Sequence, residues 1–214
     1  MAWHLRRQAT FAMSSSSIVV FDLGKVLVDF DYSIAARKIA ARSRKSLAET
    51  KVLIEQSQFI VDYETGRLTR RGFFEQVQAV TGFQGTLEEF GGFFADIFFE
   101  MTAMTALHAA LRRRGLPTYI FSNTNDLAVE HIRRNFPFFA HFDGYIFSYE
   151  VGVMKPDDGI YDALEKLAGR RGAEILYIDD RPDNVAAGRA HGWQTILQET
   201  PEKTRAAMEH RGLI

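Results

Sequence analysis

The stretch IVVFDLGKVLVDFD, residues 18–31, decides the fold. Its opening residues Ile18, Val19, Val20 and Phe21 are apolar without alternation, which is how a strand buried on both faces reads. The run stops on a carboxylate, Asp22, followed by Leu23, Gly24 and Lys25, before apolar character returns at Val26. An acid at the end of a doubly buried strand needs partners, and three later stretches supply them.

Short apolar runs rich in Ile, Val, Tyr and Phe recur at 117–121, 144–147 and 174–178, with a weaker one at 194–197. Runs this short predict central parallel strands. Helical patterns lie between them. The one at 105–114 ends in a basic turn before Gly115; the one at 126–135 has Asp126 as its cap and Pro137 as its stop. A third, at 157–169, follows Pro156 and predicts one face carrying Ile160, Tyr161, Leu164 and Leu167. Alternating strands and helices predict an α/β chain with a parallel sheet, built from residues 18–32 and 102–214.

Residues 33–101 break that rhythm. Their periodicity is helical, no strand stands out, and the segment is far too long for a simple crossover. It predicts a small helical domain inserted between the first and second strands of the sheet. Phe73, Phe74, Phe90, Phe93, Phe94 and Phe98 follow helical spacing and read as a packed face rather than a ligand box. Gly91 and Gly92 predict a bend.

Composition narrows the function. The chain has 214 residues, enough for a core without staples, and no cysteine, which excludes disulfides, thiolate zinc sites and cysteine catalysis. Lys+Arg number 26 against Asp+Glu 27, leaving no basic field for nucleic acid. No apolar run approaches the roughly 18 residues of a membrane span. Residues 1–17, MAWHLRRQATFAMSSSS, hold Arg6 and Arg7 but no signal-peptide core; they read as a disordered leader, with Met13 as an alternative start, on a cytoplasmic protein.

In an open parallel sheet, reactive groups collect beyond the carboxyl ends of the strands. The first strand ends at Asp22, the second at Ser122 in FSNTND, the third leads to Lys155 in VGVMKPDD, and the fourth ends at Asp179 and Asp180 in YIDDRPDN. Singly, each is ordinary turn chemistry; four in order, each after its own strand, point to one rim. With a phosphate ligand every type has a task. A carboxylate attacks phosphorus to form an aspartyl-phosphate. Mg²⁺ held by carboxylates cancels the repulsion between anions, with Asp22 and Asp180 as the natural pair and Asp179 as an outer partner. Lys155 adds positive charge, Ser122 donates a hydrogen bond, and Asn123 offers a backbone N–H.

The set FDLGKVLVDFD, FSNTND, GVMKPDDGIY and YIDDRPDNVAAGRAHGW resembles the four motifs of the haloacid-dehalogenase-like (HAD) hydrolase superfamily, over nearly all of the chain after residue 17. The resemblance implies a Rossmann-like parallel sheet core with an inserted helical cap. The Asp-Leu-Gly opening and the Ser-Asn-Thr-Asn motif are similar to those of a sugar-phosphate phosphatase group that includes α-D-glucose-1-phosphate phosphatases. That implies a small phosphorylated metabolite as substrate, Asp22 as nucleophile, Ser122 and Asn123 as phosphate contacts, Lys155 as charge stabiliser, and Mg²⁺ on Asp22, Asp180 and the Gly24 carbonyl.

One position departs from the pattern. Most phosphatases of the superfamily carry an acid/base Asp two residues after the nucleophile, and here that residue is Gly24. General acid/base help is worth about 10²- to 10⁴-fold, so two consequences compete: retained phosphatase activity with another proton donor, or a weakly active or inactive phosphate-binding member. Metal-free 2-haloacid dehalogenation is a third reading, which the acid pair Asp179–Asp180 disfavours. Lys25 reads as solvated, Asp29 and Asp31 as turn residues, and Tyr63, Glu64 and Arg67 as a turn that closes over the substrate only as the lesser reading.

Overall fold

The computed structural model describes residues 17–214. The leader expected over 1–17 lies outside the described residues, apart from Ser17, which is buried. In chain order the strands are β1 (Ile18–Phe21), β2 (Val28–Phe30), β3 (Phe98–Glu100), β4 (Thr118–Ser122), β5 (Gly144–Phe147), β6 (Ile175–Asp179) and β7 (Gln194–Leu197).

Five of them form a parallel sheet in the order β5-β4-β1-β6-β7. The strand with the unbroken apolar run is thus the central one. Its alternate residues feed two separate cores: Val19 and Phe21 pack with Leu107, Leu111 and Ile132 on one face, Ile18 and Val20 with Ile160, Tyr161 and Leu164 on the other. Helices α6 (Thr102–Arg113), α7 (Asp126–Asn135) and α9 (Asp158–Ala168) supply those residues, with the short α8 (Ser148–Val151) before α9, and α10 (Pro182–Ala190) and α11 (Pro201–His210) after it. From β1 the chain builds outward through β4 and β5, then returns to the other side of β1 for β6 and β7. The strand order therefore reverses around β1, and a crevice opens there at the carboxyl ends.

The segment between β2 and β3 is helical: α1 (Tyr32–Ala40), α2 (Leu47–Gln56), α3 (Gln58–Glu64), α4 (Arg70–Thr81) and α5 (Leu87–Ala95). Ser46 and Thr86 start α2 and α5 with capping boxes to Glu49 and Glu89. Phe73, Phe74, Phe83, Phe90 and Phe94 are buried together, so the phenylalanine face is a core.

Several expectations need correction. Residues 33–101 do contain a strand: β3 pairs antiparallel with β2, Val28 opposite Glu100. A three-residue strand whose partner lies some seventy residues away leaves no readable period. The strands expected at 117–121 and 174–178 each sit one residue later, so Ser122 and Asp179 belong to the ladder, opposite Phe147 and Leu197. The cap of α7 is Asn125, whose side chain accepts from the Ala128 N–H, and Asp126 is the first helical residue. Helix α5 runs unbroken through Gly91 and Gly92; Gly91 lies against Leu127, and a Cβ there would come within 3.0 Å of Leu127 Cδ2. Leu167, expected on the buried face of α9, is 52% exposed. Among the described residues no helix is long and apolar enough to cross a membrane.

Candidate active site

Where β1 ends, the chain turns at once. Leu27 N–H donates to the Leu23 carbonyl and Lys25 N–H to that of Val28, with Lys25 in the left-handed region at φ 58°. The Asp22 N–H still bonds β6, at 2.9 Å from the Ile178 carbonyl, so its carboxylate is fixed by the sheet itself. Asp22, Ser122, Asn123, Lys155 and Asp180 all line one cavity of about 360 Å³, as does Gly24. The rim read from the sequence is therefore one place in space.

Lys155 is its centre. Its ammonium lies 3.0 Å from Asp22 Oδ1 and 2.7 Å from Asp179 Oδ2, and donates to the Phe121 carbonyl at 2.9 Å. Burial works against that charge, but Asp22 and Asp179 outweigh it and hold the pKa above the usual lysine range. The backbone of Lys155 is clasped by Asn123, whose Nδ2 donates to its carbonyl at 2.9 Å while its N–H donates to Asn123 Oδ1 at 2.8 Å. Asn123 thus spends its side chain on the lysine.

Asp179 is fully buried and saturated. Lys155, Tyr177, the Arg181 N–H and Asn184 all donate to it. Burial pushes its pKa up, yet Lys155 and these donors prevail and hold it below the ordinary carboxylate value. It does not line the cavity; Asp180 does.

The electrostatics bear on a metal. Carboxylate oxygens of Asp22, Asp179 and Asp180 lie within 4.8 Å of one another. Burial pushes Asp22 up to about 8 against the pull of Lys155, with Asp179 and Asp180 adding to the rise. Asp180 is likewise raised, by burial first and Asp179 second. One ammonium shared between two acids leaves this cluster short of positive charge, and an all-oxygen donor set short of charge fits a hard divalent cation such as Mg²⁺.

The cap roofs the cavity with Tyr32, Glu55, Ile60, Val61 and Glu64, beside Phe30 and Phe98 of the two-stranded ribbon. Its hold on the core is partly apolar, through Leu127 of α7, and partly polar. Tyr63 donates to Asp126, and Arg70 donates to Asp126 at 2.9 Å and Glu130 at 2.6 Å. Of the turn considered for substrate closure, Glu64 reaches the cavity, Tyr63 is buried in this latch, and Arg67 is exposed beside Asp62 at 3.4 Å. Lys25 lies on the rim, paired with Asp29, and Asp31 caps α1 through the Ser33 N–H. Tyr32, Glu55, Phe98 and Asn125 were not legible as site residues. Asn125 alone carried a signal, its place in FSNTND, since the others arrive from the cap only by folding.

Comparison with known proteins identifies the family. The haloacid dehalogenase-like hydrolase family profile matches residues 17–192. The chain belongs to that family. It is 26% identical over 190 residues to a D-ribitol-5-phosphate phosphatase of Bacteroides thetaiotaomicron, covering 85% of this chain and 91% of the relative. A crystal structure of a HAD-family enzyme from the same organism, holding magnesium and inorganic phosphate, superposes with a TM-score of 0.74 at 23% identity, over 85% of this chain and 93% of that one. A Pseudomonas fluorescens (S)-2-haloacid dehalogenase is 29% identical, over 46% of this chain and 45% of its own.

Proposed function

We propose that the protein is a Mg²⁺-dependent phosphatase of a small phosphorylated metabolite, a sugar or polyol phosphate, acting through an aspartyl-phosphate on Asp22. The observation that carries this reading is the Lys155 ammonium 3.0 Å from the Asp22 carboxylate, at the floor of a cavity that Asp180 also lines. In this reading Asp22 attacks phosphorus in line while Lys155 faces the non-bridging oxygens and Ser122 donates to one of them. Asp179 keeps Lys155 charged and aimed. Asp22, Asp180 and the Gly24 carbonyl would hold the metal, which when bound offsets the negative charge shared by carboxylate and phosphoryl group. The cap closes the cavity from water, so the acyl phosphate meets only the water admitted for its hydrolysis.

The acid cluster favours this over dehalogenation, because an uncompensated set of carboxylates repels an anionic haloacid. The name of the B. thetaiotaomicron relative makes D-ribitol 5-phosphate a first substrate to try. A panel of phosphorylated metabolites is expected to release phosphate with Mg²⁺, to stop with EDTA and to stop with Asp22→Asn. Undiminished turnover by that variant, or halide release from a 2-haloacid without Mg²⁺, would overturn the reading.

A further inference from the structure

Position 24 carries no acid, and the structure shows that none fits there without rearrangement. A Cβ on Gly24 would lie 2.9 Å from Phe30 Cε1. The Phe30 ring is held in turn by the Lys25 ammonium 4.6 Å from its centroid and by edge contacts with Tyr32 and Phe98. Resting on the phosphatase reading above, we propose that Glu64 of the cap is the general acid/base of this site, protonating the leaving oxygen in place of the residue missing at position 24.

Of the other cavity groups able to move a proton, Asp22 and Asp180 have the roles of nucleophile and metal ligand in the reading above, and the rest are engaged or unsuited. Lys155 is bound by Asp22 and Asp179, and Lys25 by Asp29 and the Phe30 carbonyl. An arginine such as Arg181 does not release its proton. Burial drives the Tyr32 phenol far above the useful range. Glu55 stands 3.8 Å from Lys51 and faces partly outward. Glu64 remains, at the end of α3, where the neighbouring Tyr63 is anchored to Asp126 of the core. It lines the same cavity as Asn125, three residues beyond Ser122, and so hangs from the cap beside the loop assigned to the phosphate. Burial pushes it up to about 7, with Asn125 opposing, which suits proton transfer in both directions near neutral pH.

The steps balance. As the Asp22 oxygen–phosphorus bond forms and the ester P–O bond breaks, the Glu64 proton passes to the departing oxygen, releasing the alcohol. Glutamate then takes a proton from water as that water attacks phosphorus; the bond to Asp22 breaks, inorganic phosphate leaves and Glu64 is again protonated.

The test compares an alkyl phosphate, glycerol phosphate, with p-nitrophenyl phosphate, whose leaving anion needs no proton. With Mg²⁺, Glu64→Gln is expected to lower kcat/KM on the alkyl ester by about 10²-fold or more. On the aryl ester kcat/KM stays within a few-fold, since it reports only the first half-reaction, while turnover slows behind a burst of nitrophenolate. Glu64→Asp, which keeps the acid one methylene back, is expected to fall between on the alkyl ester and carries the comparison if the Gln variant does not fold. Equal kcat/KM losses on both esters, or none on the alkyl ester, would overturn the proposal while leaving the phosphatase reading intact. Wild-type protein that hydrolyses neither ester would overturn the phosphatase reading and this proposal with it.

Discussion

Asn123 and Lys155 hold each other by two reciprocal hydrogen bonds, 2.9 Å from Asn123 Nδ2 to the Lys155 carbonyl and 2.8 Å from the Lys155 N–H to Asn123 Oδ1. The pair ties the loop after β4 to the loop before α9, so the ammonium is aimed by its backbone as well as by its carboxylates. Asn123→Ala removes both bonds. Each contributes about 1 kcal/mol, and for a chain of this size that is roughly 2–4 °C of Tm per kcal/mol. The expected result is a Tm lower by several degrees together with a fall in kcat of about 10-fold, the size of a small misplacement at a reacting centre. Thermal unfolding and steady-state kinetics on one preparation check both.

A cluster short of positive charge should be stabilised by the ion it binds. Magnesium at about a hundred times its dissociation constant adds roughly 2.7 kcal/mol, so Tm should rise with Mg²⁺ concentration in the wild type. Asp180→Asn should flatten that response. Asp22→Asn should flatten it too, and its metal-free form should unfold no earlier than the wild type, because burial already disfavours the charged form of Asp22 while Lys155 keeps Asp179. A Tm indifferent to Mg²⁺ in all three proteins would count against the metal assignment.

The cap is latched to the core by partly exposed polar contacts, beside one apolar contact in which Leu127 of α7 joins the cap's own cluster. Arg70, at 34% side-chain exposure, reaches Asp126 and Glu130. Exposed pairs contribute modestly, about 0.2–1 kcal/mol each. Arg70→Ala should therefore leave Tm nearly unchanged yet raise KM severalfold by loosening the closed cap, and the wild type should show a similar rise in KM at high salt. Kinetics at low and high ionic strength separate this from a direct substrate contact, which would lower kcat/KM without the shared salt response.

A pH-dependent loss of stability is expected far from the site. His108 is buried, stacked on Phe142 with centroids 3.9 Å apart and 3.1 Å from Thr118 Oγ1 through Nε2. Burial first, then Arg112 and His141, push its pKa down to about 4, with Asp143 opposing weakly. The folded state then binds fewer protons than the unfolded chain between about pH 6.5 and 4. Stability from this group is fully present above pH 6.5 and declines as pH falls to 4, by up to a few kcal/mol at about 1.4 kcal/mol per pH unit. Asp22 and Glu64, raised to about 8 and 7, shift stability the opposite way over this window, so the check is a comparison. Denaturant titrations at pH 7 and 5 should show the wild type losing stability relative to His108→Gln as pH falls.

The linear sequence determined the α/β class, the central strand, the helical insertion and the motif residues of the rim. Each of these is written in local periodicity or at a strand end, which the eye can follow along the chain. Asp22, Ser122, Lys155 and the Asp179–Asp180 pair could be named because parallel strands must bring their carboxyl ends to one edge. Tertiary structure alone decided the division of labour among them. Asp179 is turned inward to hold Lys155 while Asp180 faces the cavity, a difference set by Tyr177, the Arg181 N–H and Asn184 packing around one oxygen pair. It decided as well that Phe30 fills the space beside Gly24, and that Tyr32, Glu55 and Glu64 descend from a cap tens of residues away. Such neighbours are chosen by how two separate cores dock, and no local pattern of residues records that contact.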